Sequence, residues 1–344
     1  MTLKDKIIGI VQEARSSRAR RAVMIALSNG MKSFEFREAG QVLERALPLS
    51  VSIDNLIEHR SEEPALVECA KICIAAAILD AEANSLLAPD ENRITPLTNA
   101  RESGLFHLFQ IIMPGLGADT VRAGLANVAF VNFNYDRCLE LFLYEALQTH
   151  SGFSEREAAR VVSGLPIWHP YGVIGRLPWQ DGEGDPVPFG AFHPGTNLSS
   201  MAEGLKTFSE EISDSDDLRA MRTAIAEAVR IVFLGLAFNE QNMKLMRPPQ
   251  GICTDQIFGT CFKPPPSGGD SNIAVATFAK PDIDTFEDEL LSWKIEVEEV
   301  GFSQFLPRVS LPKELYPGFE ALTCRQLLAK YENVLRRHPP IDES

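Results

Sequence analysis

The sequence lacks the features that would assign it at once to a class of protein. It has no uninterrupted apolar run of the ~18 residues that a membrane-spanning helix needs. Its first residues, MTLKDKIIGIVQEAR, mix charged with apolar side chains, which is typical of an amphipathic helix and not of a signal peptide. It also has no Gly-x-Ser-x-Gly elbow, no Walker loop and no His-Glu-x-x-His helix. We therefore expect a cytoplasmic protein with no membrane partner.

Cysteine and positive charge are both scarce. The chain has six cysteines, none of them in a Cys-x-x-Cys pair, and only Cys69 and Cys73 share a predicted helix face. This spacing indicates reduced thiols and no bound metal. The formal net charge of -14 makes a basic groove for nucleic acid unexpected, and anionic membrane surfaces are poor partners for the same reason.

The chain is long enough for a substantial core, with 344 residues of which 45% are hydrophobic. Apolar residues spaced near 3.6 predict a mostly helical first part, with helices at 36–47, 64–87 and 104–113 and a helix capped by Ser52 or Asp54. Further helices are predicted at 137–148, 201–212, 216–229, 239–246, 286–294 and 319–336, and strands at 128–133, 166–171, 230–238, 256–262 and 295–300.

This alternation of strands and helices predicts an α/β fold, a Rossmann-like parallel sheet with a largely helical N-terminal part. We expect a helical part over 1–126 that packs on the sheet, a core over 127–307 and a helical tail over 308–344.

The segment 127–147 is the most informative stretch of the chain. Its apolar run at 128–131 predicts a strand buried on both faces, and the run ends in Asn132, Asn134 and Asp136 just before a predicted helix. Polar residues at the carboxyl end of a buried parallel strand lie where open α/β sheets bind their ligands. This junction is therefore the first candidate for a functional site.

Three polar clusters follow predicted strands: N-F-N-Y-D at 132–136, H-P-Y-G at 169–172 and G-L-A-F-N-E-Q-N at 235–242. In this order and spacing they resemble the sirtuin-like superfamily of NAD-consuming proteins, in its bacterial antiphage branch. That family has T-T-N-Y-D or T-Q-N-I-D after one strand, H-G-S after another and a G-x-S/G-x-x-D/N turn after a third. The resemblance covers about residues 52–262.

The resemblance implies a role for each matched residue. Asn134 would contact the nicotinamide ribose and act in catalysis together with His169 and Tyr171. The implied NAD-binding residues are Asp136, Gly172, Gly235, Asn239, Gly259 and Thr260. Cleavage of a nicotinamide glycosidic bond needs a held ribose and a positioned polar group more than a strong nucleophile.

The sequence departs from the family in two places. Tyr171 stands before Gly172 where the family has its catalytic histidine, so His169 is the candidate base and Tyr171 a candidate hydrogen-bond donor. The G-A-G-x-S loop that should open the fold is missing, and Met1 is expected to lie downstream of it. The paired zinc cysteines of the lysine deacylases are also missing, so the implied activity is NAD glycohydrolysis.

Simpler interpretations stay open beside this one. Asp136 and Asn239 could act only as helix caps, Asn134 could form an Asx turn, and His169 could be an ordinary core histidine. The chain could be an inert member of the family that serves oligomerisation or nucleotide sensing, or an unrelated doubly wound enzyme. We expect a homo-oligomer that binds NAD or an ADP-ribose-like nucleotide.

Overall fold

The computed structural model describes residues 6–8, 33–50, 52–90, 94–113, 118–182, 184–191, 196–207, 215–234, 242, 245–248, 256–263, 272–278 and 320–321. The chain forms two compact units. The first unit comprises Met1–Ala100 and Phe130–Ser213, and the second comprises Arg101–Ala129 and Asp214–Ser344. Each unit thus combines two stretches of chain, and the predicted boundaries at residues 126 and 307 stay predictions.

The described residues form a mostly helical, mixed α/β structure. Its α-helices are α1 (Ser33–Ala46), α2 (Ile53–His59), α3 (Pro64–Ala83), α4 (Gly104–Ile112), α5 (Ala118–Leu125), α6 (Cys138–Ser151), α7 (Glu155–Ser163), α8 (Leu198–Glu203) and α9 (Asp216–Glu227). Its strands are β1 (Phe130–Val131), β2 (Ile167–Trp168), β3 (Arg230–Phe233), β4 (Gln256–Lys263), β5 (Asn272–Phe278) and β6 (Glu320–Ala321). Two short 3-10 helices cover Leu47–Leu49 and Leu97–Glu102.

Helix α3 forms the centre of the first unit. It is apolar around nearly its whole circumference, and such a helix is stable only when other elements surround it. Helices α1, α2 and α8 all pack against it. The helix predicted at 64–87 is therefore confirmed over Pro64–Ala83, with proline at its first turn where the missing N–H costs nothing.

Short polar side chains begin several helices, and of the two described next the cap at Ser52 was predicted whereas that at Ser154 was not. Ser52 caps α2 by accepting a 3.0 Å hydrogen bond from the backbone N–H of Asn55. Ser154 and Glu157 form a complete capping box at the start of α7. These bonds satisfy amide groups that have no partner within their own helix, and so fix where each helix starts.

Strands β1 and β2 form a parallel pair in the first unit. Phe130 lies opposite Ile167, and Val131 lies opposite Trp168. The two predicted strands are thus confirmed but are short, because a turn follows β2 directly and is closed by a 2.9 Å bond from the N–H of Gly172 to the carbonyl of His169. The prediction of burial on both faces is wrong: both residues of β1 are only half-buried, since β2 is the only strand that pairs with β1 in the described part of the chain.

The second unit contains a sheet with the strand order β3-β4-β5-β6. Strand β3 pairs with β4 in parallel, whereas the other two pairings are antiparallel. The strands predicted at 230–238 and 256–262 are confirmed in β3 and β4, while β5 was not predicted. By their hydrogen bonds, the four predicted strands that the structure describes therefore belong to two sheets and not to one parallel sheet.

Other predictions fall partly or wholly outside the described residues. The helix predicted at 319–336 is wrong at Glu320–Ala321, which pairs as a strand with β5. The predicted helix at 286–294 and the predicted strand at 295–300 lie outside the described residues. None of the helices in the described part of the chain combines the length and apolar character that crossing a membrane requires.

Candidate functional site

The first unit brings five of the predicted site residues to one edge of the β1–β2 pair. Because the two strands are parallel and in register, the segments that follow them leave the pair at the same edge. Asn134 and Asp136 follow β1, and His169, Tyr171 and Gly172 follow β2. The two segments touch directly, with Nδ1 of His169 lying 3.0 Å from the backbone carbonyl oxygen of Asn134.

The loop after β1 is shaped by its own short polar side chains. Asn132 forms an Asx turn, because its side-chain oxygen accepts a 3.0 Å bond from the N–H of Asn134. Asp136 accepts a 3.0 Å bond from the N–H of Cys138, two residues on, as in a second Asx turn. The residue at the N-cap of α6 is Arg137 and no side chain caps this helix, so the predicted N-cap role of Asp136 is wrong. The expected Asx turn is present, but Asn132 forms it and not Asn134.

The side chain of Asn134 differs from its neighbours in having no local structural task. Asn134 is exposed, and its side-chain amide makes no hydrogen bond with any residue that the structure describes. An amide can both donate and accept hydrogen bonds. Asn134 is therefore the polar group of this edge that is open to a ligand.

His169 has a partner at each ring nitrogen. Besides the contact of Nδ1 with Asn134, Nε2 lies 2.6 Å from Oε1 of Glu140, and the two side chains are only 9% and 7% exposed. A carbonyl oxygen can only accept, so Nδ1 carries a hydrogen. The short Nε2–Oε1 distance is typical of a charge-assisted hydrogen bond.

The surroundings of His169 favour the charged imidazolium. Burial of the ring acts to lower its pKa, but the hydrogen bond and the charge of Glu140 act in the opposite direction, with smaller contributions from the Asn134 carbonyl and the charge of Asp136. The net effect raises the pKa of His169 above its ordinary value. Because both ring nitrogens are engaged in these contacts, His169 offers no free nitrogen to a ligand.

Tyr171 is buried, with only 4% of its surface exposed. Its ring packs at a tilt against Phe133, with 5.8 Å between the ring centroids. Burial and the nearby charge of Asp54 raise the pKa of the Tyr171 hydroxyl. Tyr171 therefore stays a neutral phenol and contributes packing at this edge.

Gly172 allows two backbones to approach closely. Its φ of 81° lies in the left-handed region, and a Cβ at this position would overlap the carbonyl oxygen of Gly204. Gly172 forms an isolated antiparallel bridge with Leu205, and the next residue, Lys206, donates a 2.8 Å backbone bond to the carbonyl of Tyr171. The glycine is thus required by the contact between segments 169–172 and 204–206.

A second buried ion pair holds the start of α6. Arg137 and Glu82 at the end of α3 are 1% and 0% exposed and are joined by bonds of 3.0 Å from Nε and 2.6 Å from Nη2. Glu82 also accepts the N–H of Arg137 and the N–H of Gly190, each at 3.0 Å. The candidate loop is therefore attached to the central helix through fully buried charges.

Sequence reasoning missed three of the residues that shape this edge. They are Glu140, Arg137 and Lys206, and Lys206 accepts a 2.9 Å bond from the hydroxyl of Tyr135 at its backbone oxygen. Glu140 could have been found, because it lies in the first turn of the predicted helix, directly after the polar cluster at 132–136. The contacts of Arg137 and Lys206 join segments far apart in sequence and leave no local pattern.

The remaining predicted site residues belong to the second unit. Gly259 pairs with Phe233 and Ala276, and Thr260 with Val275, all within the sheet of that unit. Gly235 and Asn239 lie outside the described residues. Within the residues that the structure describes, no three His, Cys, Asp or Glu side chains are grouped as metal ligands would be.

Comparison of the chain with protein-family models, with curated proteins and with solved structures finds no match. The site must therefore be interpreted from its own geometry. That geometry combines one exposed, unengaged amide with a closely held surrounding backbone, an arrangement suited to orienting a polar ligand by hydrogen bonds.

Proposed function

We propose that the chain is a sirtuin-like NAD-binding protein, and that it hydrolyses NAD to ADP-ribose and nicotinamide. The observation that carries this proposal is the exposed Asn134 amide where two parallel strands end, the place where open α/β sheets bind ligands. The ordered clusters at 132–136 and 169–172, which meet in space here, support the family resemblance.

The proposed reaction breaks the bond between the ribose C1′ and the nicotinamide nitrogen. Nicotinamide leaves with the electron pair of that bond, a water oxygen bonds to C1′, and a proton passes from that water to solvent. The transition state resembles an oxocarbenium ion, so a group that holds the ribose in place accelerates the reaction without attacking it. Asn134 is the proposed ribose contact.

The test is the rate of nicotinamide release from NAD, followed by chromatography. Asn134→Ala should abolish release while the circular dichroism spectrum and thermal unfolding stay unchanged, because the amide has no partner among the described residues. Asn99→Ala is the matched control, since Asn99 is also an exposed asparagine of the first unit and lies in the 3-10 helix Leu97–Glu102. Equal release by Asn134→Ala and Asn99→Ala would refute the role of Asn134.

A second candidate function is an inert module that senses a nucleotide or assembles with itself. The specific observation in its favour is that His169 has both ring nitrogens engaged and that Tyr171 is buried, so neither presents a base to a ligand. Titration calorimetry with NAD and with ADP-ribose separates the candidates. Binding of ADP-ribose without release of nicotinamide from NAD would favour the sensing module.

A further inference from the structure

The buried pair of Glu140 and His169 connects three segments of the candidate site. Glu140 lies in the first turn of α6, His169 directly follows β2, and the carbonyl of Asn134 belongs to the loop after β1. The contacts run in series, 2.6 Å from Glu140 Oε1 to His169 Nε2 and 3.0 Å from His169 Nδ1 to the Asn134 oxygen. The carbonyl at the end of this series belongs to Asn134, whose side chain is exposed.

We propose that Glu140 and His169 are positioning residues that share a proton and fix the backbone of Asn134, and thereby the direction of its exposed amide. The identity of the ligand that this amide contacts rests on the function proposed above, whereas the geometry of the Glu140–His169 pair does not depend on it. His169 acts through Asn134 and does not serve as the base that the sequence suggests.

The distribution of hydrogens around His169 supports this role. A general base needs a nitrogen lone pair that faces the ligand. Nδ1 carries the hydrogen that the Asn134 carbonyl accepts, and Nε2 shares a hydrogen with Glu140. Neither nitrogen of His169 offers a lone pair while these contacts stand.

Burial of the Glu140 carboxylate costs stability, so a role in packing alone does not account for it. Its second carboxylate oxygen, Oε2, is buried and has no hydrogen-bond partner among the described residues. An unsatisfied buried oxygen opposes stability, whereas an apolar side chain of similar size would avoid the loss. The contact through Oε1 to His169 gives the carboxylate a task that an apolar side chain could not perform.

Two glutamine variants separate positioning from base catalysis. His169→Gln can keep a contact with Glu140 but lacks a donor at the place of Nδ1, so the bond to the Asn134 carbonyl is lost. In Glu140→Gln the side-chain amide can donate to Nε2 of a neutral His169 that keeps its Nδ1 hydrogen. We expect kcat/KM for nicotinamide release to fall about 100-fold in His169→Gln, the loss expected from a displacement near 1 Å, and to fall much less in Glu140→Gln, which keeps the contact in altered form.

The pH dependence of Glu140→Gln distinguishes the two roles. The groups that face His169 are Glu140 from α6 and Asp136 with the Asn134 carbonyl from the loop. If His169 were the base, loss of the Glu140 charge would lower its pKa and move the acidic limb of the kcat/KM profile to lower pH. Positioning predicts an unmoved acidic limb, and a shift of that limb would overturn the proposal.

Nuclear magnetic resonance of the full chain tests the pair without any activity. Imidazole ¹⁵N shifts, assigned by comparison with His169→Gln, should show Nδ1 protonated throughout and Nε2 losing its hydrogen at a pH above the ordinary value of 6.5. An Nε2-protonated tautomer with an ordinary titration near 6.5 would overturn the pair itself. If the pair is seen but the unaltered chain releases no nicotinamide from NAD, the proposed function fails and the pair stands.

Discussion

The buried Glu82–Arg137 pair leads to the sharpest stability prediction. In Glu82→Gln, the new NH₂ group replaces Oε2 and faces two donors, Nη2 of Arg137 and the N–H of Gly190. The guanidinium also loses its counter-ion at 1% exposure, so solvent screens nothing. Removal of one partner of a buried pair costs about 3–5 kcal/mol, a large share of the about 5–15 kcal/mol that stabilises a typical domain.

The chain provides a matched control for this variant. Arg60 and Glu63 form the same two-bond geometry, 2.6 Å from Nε and 2.7 Å from Nη2, but their side chains are 34% and 46% exposed. Glu63→Gln should cost less than about 1 kcal/mol, because water already competes for both charges. The two variants thus compare the same chemistry at two levels of burial.

Urea unfolding followed by tryptophan fluorescence measures both losses. With a slope of about 2 kcal/mol per molar, the midpoint should fall by about 2 M in Glu82→Gln and by less than about 0.5 M in Glu63→Gln. Replacing both Glu82 and Arg137 by Met should recover much of the loss, because no buried charge is then left unpaired. Equal shifts in the two glutamine variants would refute the argument from burial.

Two further variants test the turn and the histidine pair. Gly172→Ala should lower the thermal midpoint much more than Gly152→Ala. Both glycines have a positive φ, so each substitution should cost about 1–2 kcal/mol of stability, but only at residue 172 would the new Cβ also overlap another backbone. Equal shifts of the midpoint in the two variants would contradict the clash. Because the pKa of His169 is raised, the charge of His169 stabilises the fold fully below pH 6.5, the ordinary pKa of histidine. This contribution is lost as pH rises through the raised pKa. The free energy of unfolding of the unaltered chain should therefore approach that of Glu140→Gln as pH rises through the raised pKa of His169, and a difference independent of pH would contradict the assignment.

Local signals for helices are present in the sequence, although α5 and α7 were not predicted from them. Ser52 and Ser154 stand where a cap is needed, and each bonds an amide only a few residues along the chain. The nearly uniform apolar character of 64–87 predicts a surrounded helix, and α3 is surrounded. Such signals act within one turn of helix, so they can be recognised without knowledge of the fold.

Local signals in the sequence do not predict how the strands pair. An apolar run such as 128–131 predicts an extended segment but does not say how many strands will lie beside it, and β1 pairs with β2 alone in the described region. Strand β5 escaped prediction because alanines separate its β-branched residues, leaving an alternation that is weak in hydrophobicity. The number and direction of neighbours depend on pairing between distant segments.

In the candidate site, too, local contacts could be predicted from the sequence and long-range contacts could not. The roles of Asn132 and Asp136 are local, since each accepts a bond from the amide two residues on. Glu140 lies in the first turn of α6, only a few residues after Asp136, so its presence near this cluster was open to prediction. The bond between Arg137 and Glu82 spans 55 positions, and no periodicity of the sequence connects these two residues.

The loop after β1 does not need the two buried ion pairs, Glu82–Arg137 and Glu140–His169, in order to connect β1 to α6. Asn132 and Asp136 already satisfy the amides where the strand passes into α6. Arg137 and His169 add bonds to Glu82 and Glu140 at the cost of removing four ionisable side chains from water. The backbone on both sides of the exposed Asn134 amide is thereby held before any ligand arrives. A binding group that is oriented in advance loses less entropy on binding, so these contacts suit the ligand contact that we propose for Asn134.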